Sequence, residues 1–484
     1  MSLKQKTISG LFWSFTDNFA KLGITFIVGI ILARLLTPRE FGLIGMTTIF
    51  IAVSQSFIDS GFKQALIRKK DCTQADFSTV FYFNLLVSAV FYLFLFLSSG
   101  WISRFFSEPL LERVIQVLGL VLIANALTIV QKAELTKAIN FKLQTIISVI
   151  ASLVSGAIGI FMALNNYGVW SLVATTLSGS FITMILLWLW NGWRPSLVFS
   201  LDSFWEMFSF GSKLLISGLI DTMYHNIYLL IIGRYFSATA LGYYTRAQSF
   251  KDVPSKNITT VIQRVSYPVL VTLQDDIPKL KAAYRKLIQS TMLITFVLML
   301  GMVAIAEPMI LTLIGEQWRD SIVYLQLLCF VGMFYPLHAI NLNMLKVQGR
   351  SDLFLKLEVI KKLFAIPTII VGIIFGIEVM IIGMIVNTLI AYCLNSYWSG
   401  QLIGYSTQQQ IMDILPSFLL AAFMSLVVYG VGIMIEASYL IKLIVQLILG
   451  ALLIISLAEL TRLDNYLYIK AIALDKLLKR APTI

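Results

Sequence analysis

Charge is in short supply in this sequence. Only 13% of its 484 residues are Asp, Glu, Lys or Arg, about half the ~25% typical of a soluble globular chain. Cysteine is scarce as well. Cys72, Cys329 and Cys393 lie far apart and form no CxxC pair, which excludes a disulfide framework and leaves no thiolate metal site. There is no GxxxxGK[ST] phosphate loop, no HExxH pair and no pair of loop carboxylates suited to acid–base catalysis. No polar or low-complexity linker is long enough to set off an aqueous domain. These absences argue against an enzyme and against ATP as the energy source. The N-terminal stretch, with Lys4 and Lys6 before apolar residues, has the outline of a secretion signal. It runs past Asp17 and Lys21 to Leu36 without a small-residue cleavage site, and so reads as a retained first helix.

What is present is a succession of apolar runs. Hydrophobic residues make up 58% of the chain and mean hydropathy is +0.85. A helix needs roughly 20 apolar residues to cross ~30 Å of hydrocarbon. Windows of that kind occupy 11–35, 41–60, 78–99, 112–131, 145–164, 168–190, 210–233, 240–268, 286–306, 321–345, 357–375, 378–399, 414–435 and 438–459. The expected fold is therefore an all-α polytopic membrane protein with about fourteen transmembrane helices.

The loops alternate in charge. Those on one side carry about 24 Lys and Arg residues; those on the other carry about six, Arg34, Arg39, Arg104, Arg113, Arg234 and Arg319. The positive-inside bias then puts both termini in the cytoplasm and supports an even number of spans. The net charge of +12 is thus mainly a topology signal, and nucleic acid is not an expected partner. The tail TRLDNYLYIKAIALDKLLKR is a basic amphipathic segment of the kind that lies on a membrane surface.

Residues 34–50 (RLLTPREFGLIGMTTIF) resemble residues 234–250 (RYFSATALGYYTRAQSF). Arg34 matches Arg234, Gly42 matches Gly242 and Phe50 matches Phe250 at a constant offset of 200. Six spans fit that offset, so the copies share an orientation, related by a pseudo-twofold along the membrane normal. The expected division is a six-helix bundle over 1–200, a second over 201–405, two further spans over 406–462 and the tail over 463–484.

Ionisable side chains inside spans are costly and usually face a bundle interior or a watery cavity. Asp17, Lys21 and Thr25 share one face of the first span, and Gln55 and Asp59 one face of the second. The seventh carries Lys213, Ser217, Asp221 and His225, with Tyr224 and Tyr228 beside them. The eighth is the most polar: Arg246, Asn257 and Arg264 return to nearly one azimuth, and Lys251 and Lys256 join them with Asp252 as the only neighbouring acid. Such an excess of positive charge points to an anionic guest. An intrahelical Asp17–Lys21 pair and a structurally hydrogen-bonded His225 are the alternatives. Spans three, five, nine and thirteen hold almost no charge, so polar content concentrates in the first two helices of each repeat.

The opening stretch, above all ARLLTPREFGLIGM followed by DSGFKQALIR, resembles the Wzx-type polysaccharide-unit flippases, in the branch tied to colanic-acid and teichuronic-acid export. That family belongs to the multidrug/oligosaccharidyl-lipid/polysaccharide exporter superfamily. The resemblance implies two six-helix bundles in a V-shaped, alternating-access fold and movement of undecaprenyl-diphosphate-linked oligosaccharide across the membrane. It makes Lys21, Lys213, Arg246, Lys256 and Arg264 candidate diphosphate contacts, and Asp17, Asp59, Asp221 and His225 candidate coupling or gating groups. Gln55, Tyr224, Tyr228 and Asn257 are candidate polar cavity residues. No cofactor is expected beyond Na⁺ or H⁺ coupling. Partners would be the lipid-linked oligosaccharide, membrane lipids and the polymerase or glycosyltransferase machinery. The competing readings are a cation-coupled multidrug exporter, which should favour acids over bases in its cavity, and a membrane polymerase or ligase, which should need a sizeable outer loop.

Overall fold

The computed structural model describes residues 3–478, and every regular element among them is helical. The chain packs as two compact units, Met1–Thr245 and Arg246–Ile484. Each of the fourteen expected windows falls on a helical stretch. Twelve such stretches among the described residues are long and apolar enough to cross a membrane. The other two are the eighth and eleventh windows, whose helices of 35 and 25 residues carry more charge. Lys479 and Arg480 of the basic tail lie outside the described residues.

The first unit holds α1 (Leu3–Leu35), α2 (Pro38–Asp59), α3 (Phe62–Arg68), α4 (Gln74–Phe106), α5 (Leu110–Leu118), α6 (Leu120–Lys137), α7 (Phe141–Leu164), α8 (Val169–Trp190) and α9 (Leu201–Tyr235). The α1–α2 break is written locally. Pro38 opens α2, and the Glu40 carboxylate accepts hydrogen bonds from the Thr37 N–H at 2.6 Å and its hydroxyl at 3.0 Å. At the far end of α2, Gly61 takes a left-handed φ of +71°, and a Cβ there would lie 2.7 Å from the Gly211 carbonyl oxygen. Small residues also seat α7 against its neighbours. A Cβ on Gly156 would meet Val28 of α1 at 2.5 Å, and one on Gly159 would meet Thr175 of α8 at 1.8 Å. In a bilayer, where helices gain little from burying apolar surface, such close approach holds a bundle together.

The two segments related by the offset of 200 fold alike, each as helix, two-residue break and helix. They also pack on each other. A Cβ at Gly42 would stand 1.7 Å from the Ala238 carbonyl oxygen, and one at Gly242 would stand 1.8 Å from that of Pro38. Ala238 is 200 positions from Pro38, as Gly242 is from Gly42, so the contact is reciprocal.

α10 (Ala238–Thr272) begins in the first unit, ends in the second, and stays helical through Pro254 and Pro268. The second unit continues with α11 (Ile277–Ala304), α12 (Ala306–Leu313), α13 (Ser321–Gly332), α14 (Tyr335–Val347), α15 (Ser351–Phe375), α16 (Ile377–Ile403), α17 (Thr407–Met434), α18 (Tyr439–Thr461) and α19 (Asp464–Leu478). The tenth window is split between α13 and α14, with Pro336 in the first turn of α14, where its missing N–H and its ring interrupt no helical hydrogen bond. α11 packs on α17, α17 on α18, and α15 on α16. A buried polar knot ties three helices: the Tyr284 hydroxyl donates to Asn341 Oδ1 at 2.9 Å, and Ser399 donates to the same oxygen at 2.6 Å.

Candidate functional site

The first unit encloses a polar cavity of about 530 Å³ between α1, α6, α7 and α8. Asp17, Lys21 and Thr25 reach it from α1, and Asn125 and Lys132 from α6. Its opposite wall is made of hydroxyls at helical spacing: Ser148, Ser152 and Ser155 on α7, and Thr176, Ser180 and Thr183 on α8. Positions i, i+4 and i+7 lie on one face of a helix, so each set forms a stripe. Several of these hydroxyls spend their proton on their own helix. Thr176 donates to Leu172 O at 3.0 Å and Thr183 to Gly179 O at 2.7 Å. Their lone pairs then remain to accept from a guest.

Charge in and around this cavity is mainly positive. Lys132 stands near two further cations, Lys21 and Lys63. Asp17 is held across the helix interface by a hydrogen bond from the Ser148 hydroxyl. Asp59 lies near Lys63, and its Oδ1 is buried without a hydrogen-bond donor among the described residues. Gln55 reaches the cavity edge by accepting a hydrogen bond from Asn125 at 3.0 Å.

The structure places the other residues predicted for this unit on α9. Lys213, Asp221 and His225 are exposed there, and His225 Nε2 lies 3.6 Å from Asp221 Oδ1. Tyr224 packs edge-on against the His225 ring, whereas Tyr228 is buried. Thr222, on the α2 side of the helix, shares a 3.0 Å hydrogen bond with Ser56.

α10 presents a different arrangement in the second unit. Lys251 is only 2% exposed; its ammonium lies 2.6 Å from Asp252 and 4.7 Å from the centroid of the Tyr335 ring. Asp252 also holds Lys256, at 2.5 Å, so one carboxylate serves two lysines. The Lys251 stem passes so close to Gly332 that a Cβ there would lie 2.5 Å from it. Ser255 donates to the Gly332 carbonyl at 3.1 Å, and Asn343 donates to Ser266 at 3.3 Å. This face of α10 is thus fastened to α13 and α14. Lys256 and Arg264 are exposed, Arg246 is half-buried, and the Asn257 amide donates back to the Val253 carbonyl of its own helix. His338 is paired with Asn395 at 3.3 Å.

Two features escaped the reading of the sequence. Lys132 lies one residue past the apolar window that closes at 131, but α6 runs on to Lys137 and carries Lys132 to the cavity. Its separation of seven from Asn125 was the available signal. The hydroxyl stripes of α7 and α8 carry no charge to mark them, and serine and threonine in an apolar span equally serve helix packing. Polar lining is therefore not confined to the first two helices of the bundle. Among the described residues no group of three His, Cys, Asp or Glu side chains comes together to hold a metal.

Residues 31–323 match a family described as polysaccharide biosynthesis protein. The lipopolysaccharide biosynthesis protein WzxC of Escherichia coli is 27% identical, over 90% of this chain and 90% of its own length. The teichuronic acid biosynthesis protein TuaB of Bacillus subtilis is 26% identical, over 90% and 91% respectively. Among solved structures, the lipid II flippase MurJ in an inward closed conformation superposes with a TM-score of 0.76 at 13% identity, covering 94% of this chain and 99% of that one. At that identity the likeness is one of transporter fold.

Proposed function

Since the chain belongs to the polysaccharide biosynthesis protein family, we propose that it is a flippase moving an undecaprenyl-diphosphate-linked oligosaccharide from the cytoplasmic to the outer leaflet of the bacterial inner membrane. The observation that carries this reading is the cavity of the first unit, with Lys21 and Lys132 beside two stripes of hydroxyls. A diphosphate needs cationic donors and a sugar needs acceptors for its hydroxyls; the cavity supplies both. WzxC and TuaB, named for roles in polysaccharide biosynthesis, support the substrate class.

In this mechanism Lys21 and Lys132 neutralise the diphosphate while Asn125, Gln144 and the hydroxyls hold sugar. The lipid tail stays in the bilayer. Lys213 of the first unit, and Arg246 and Arg264 of the second, are further cations for the diphosphate along its path; Lys256, already held by Asp252, contributes less. α10 and α15 complete fourteen spans, with both termini cytoplasmic, and the two sets of six are the repeats, followed by two further spans. The cavity opens alternately to the two faces. A membrane potential contributes ~2.3 kcal/mol per charge per 100 mV, and roughly twice that for a diphosphate near −2. Na⁺ or H⁺ resets the empty carrier through Asp17, Asp59, Asp221 or His225. A multidrug exporter of organic cations fits less well, because the lysines would repel its cargo.

The test is complementation of a strain lacking its own flippase, read as lipid-linked sugar reaching the outer leaflet. Lys21→Gln combined with Lys132→Gln should lower export by on the order of 100-fold, the worth of two charge-assisted contacts. Export at the wild-type rate by a normally expressed double variant would overturn the reading.

A further inference from the structure

A second polar cavity, of about 610 Å³, lies in the other unit between the first turns of α11 and the final helix α19. Lys281, Arg285 and Lys286 line it from α11, and Asp464, Leu467 and Tyr468 from α19. Its charges are unequally answered. Arg285 is paired with Asp413 at 2.5 Å. Lys281 donates to the Gly404 carbonyl, and Lys286 lies 4.1 Å from the centroid of the Tyr468 ring. Neither lysine has a carboxylate within ion-pair distance among the described residues. Asp464 opens α19, where the helix dipole already stabilises its charge. Leu467 and Tyr468 are 40% and 42% exposed beside these cations, the pairing of apolar and basic groups found on helices at a membrane surface.

We propose that this groove binds the headgroup of an anionic phospholipid. Lys281 and Lys286 contact its phosphate, and Leu467 and the Tyr468 ring meet its glycerol and upper acyl chains. The headgroup adds a second link between α19 and α11, which already meet through Lys286 and Tyr468, outside the transport cavity. Assignment of that lipid to the cytoplasmic leaflet rests on the topology proposed above; the headgroup chemistry does not.

Native mass spectrometry of the purified full-length chain, titrated with phosphatidylglycerol or phosphatidylcholine, tests this. The expected result is a preference for phosphatidylglycerol of about tenfold or more. Lys281→Gln combined with Lys286→Gln should reduce it to within about threefold, whereas Lys442→Gln, outside the groove, should leave it intact. Leu467→Glu, at an exposed position, should cause the same loss without touching a lysine. Millimolar inorganic phosphate should not displace the bound lipid. Equal retention of phosphatidylcholine, an unchanged preference in both groove variants, or displacement by phosphate, which would make this a free-anion site, would overturn the proposal.

Discussion

The lysines of the first cavity and those of α10 resemble each other in the sequence and differ in the structure. On α10 a single acid, Asp252, answers Lys251 and Lys256, and the Tyr335 ring caps the buried one. In the cavity the acid beside Lys21, Asp17, is engaged by Ser148 from the neighbouring helix, and Lys132 faces further positive charge. One set is closed by its own partners; the other is not, and it is the set proposed to meet the diphosphate. Counting charges along a helix does not separate the two cases. Where the nearest carboxylate points does.

Reversing a cavity charge should break this contrast most sharply. Lys132→Glu should cut export by on the order of 10³-fold, about 4 kcal/mol, by removing one contact and adding repulsion. Lys256→Gln, whose charge is already answered, should change export less than about threefold. Comparable losses from both would erase the distinction. Stability should show the converse. Lys251→Met leaves Asp252 half-buried with only Lys256, and should lower thermal stability in detergent by about 3 kcal/mol. Lys21→Gln should shift it by less than about 0.5 kcal/mol.

The hydroxyl wall should give a smaller effect. Ser152→Ala with Ser180→Ala removes two neutral acceptors, and export should fall roughly fivefold to tenfold with no change in the melting temperature. The smallest effect concerns an exposed pair that resembles neither set. Asp276 caps α11, and Lys279 holds its carboxylate below the ordinary range. Its contribution is present above that range and lost as pH falls through the lowered value. The melting difference between wild type and Asp276→Asn should therefore be measurable at neutral pH and vanish in acid.

Much of this was legible in the sequence. Apolar windows located every long helix because a bilayer demands some twenty apolar residues wherever the chain crosses it. Helix ends were less so: the Thr73 capping box starts α4 at Gln74, before its window, and α6 continues through a polar last turn to Lys137. The division of the tenth span was marked by Pro336, but which side of it would break depended on packing. In the site, Asp17 and Lys21 were visible from their spacing of four. The partner of Asp17, Ser148, was not, because it comes from a helix 131 positions away. Nor did the sequence reveal that Asp252 would be shared, since rotamer and burial decide which of several neighbouring lysines an acid reaches.

The reciprocal seating of Gly42 on Ala238 and Gly242 on Pro38 has the form of a twofold contact. A contact in which each surface meets the equivalent of itself is what a symmetric homodimer makes across its twofold axis. Fusing two such copies end to end would preserve the contact inside a single chain and leave each half free to diverge elsewhere. Neither glycine can acquire a side chain on its own, because the backbone of the other helix start faces it. A substitution at either position should therefore push the same two helix starts apart.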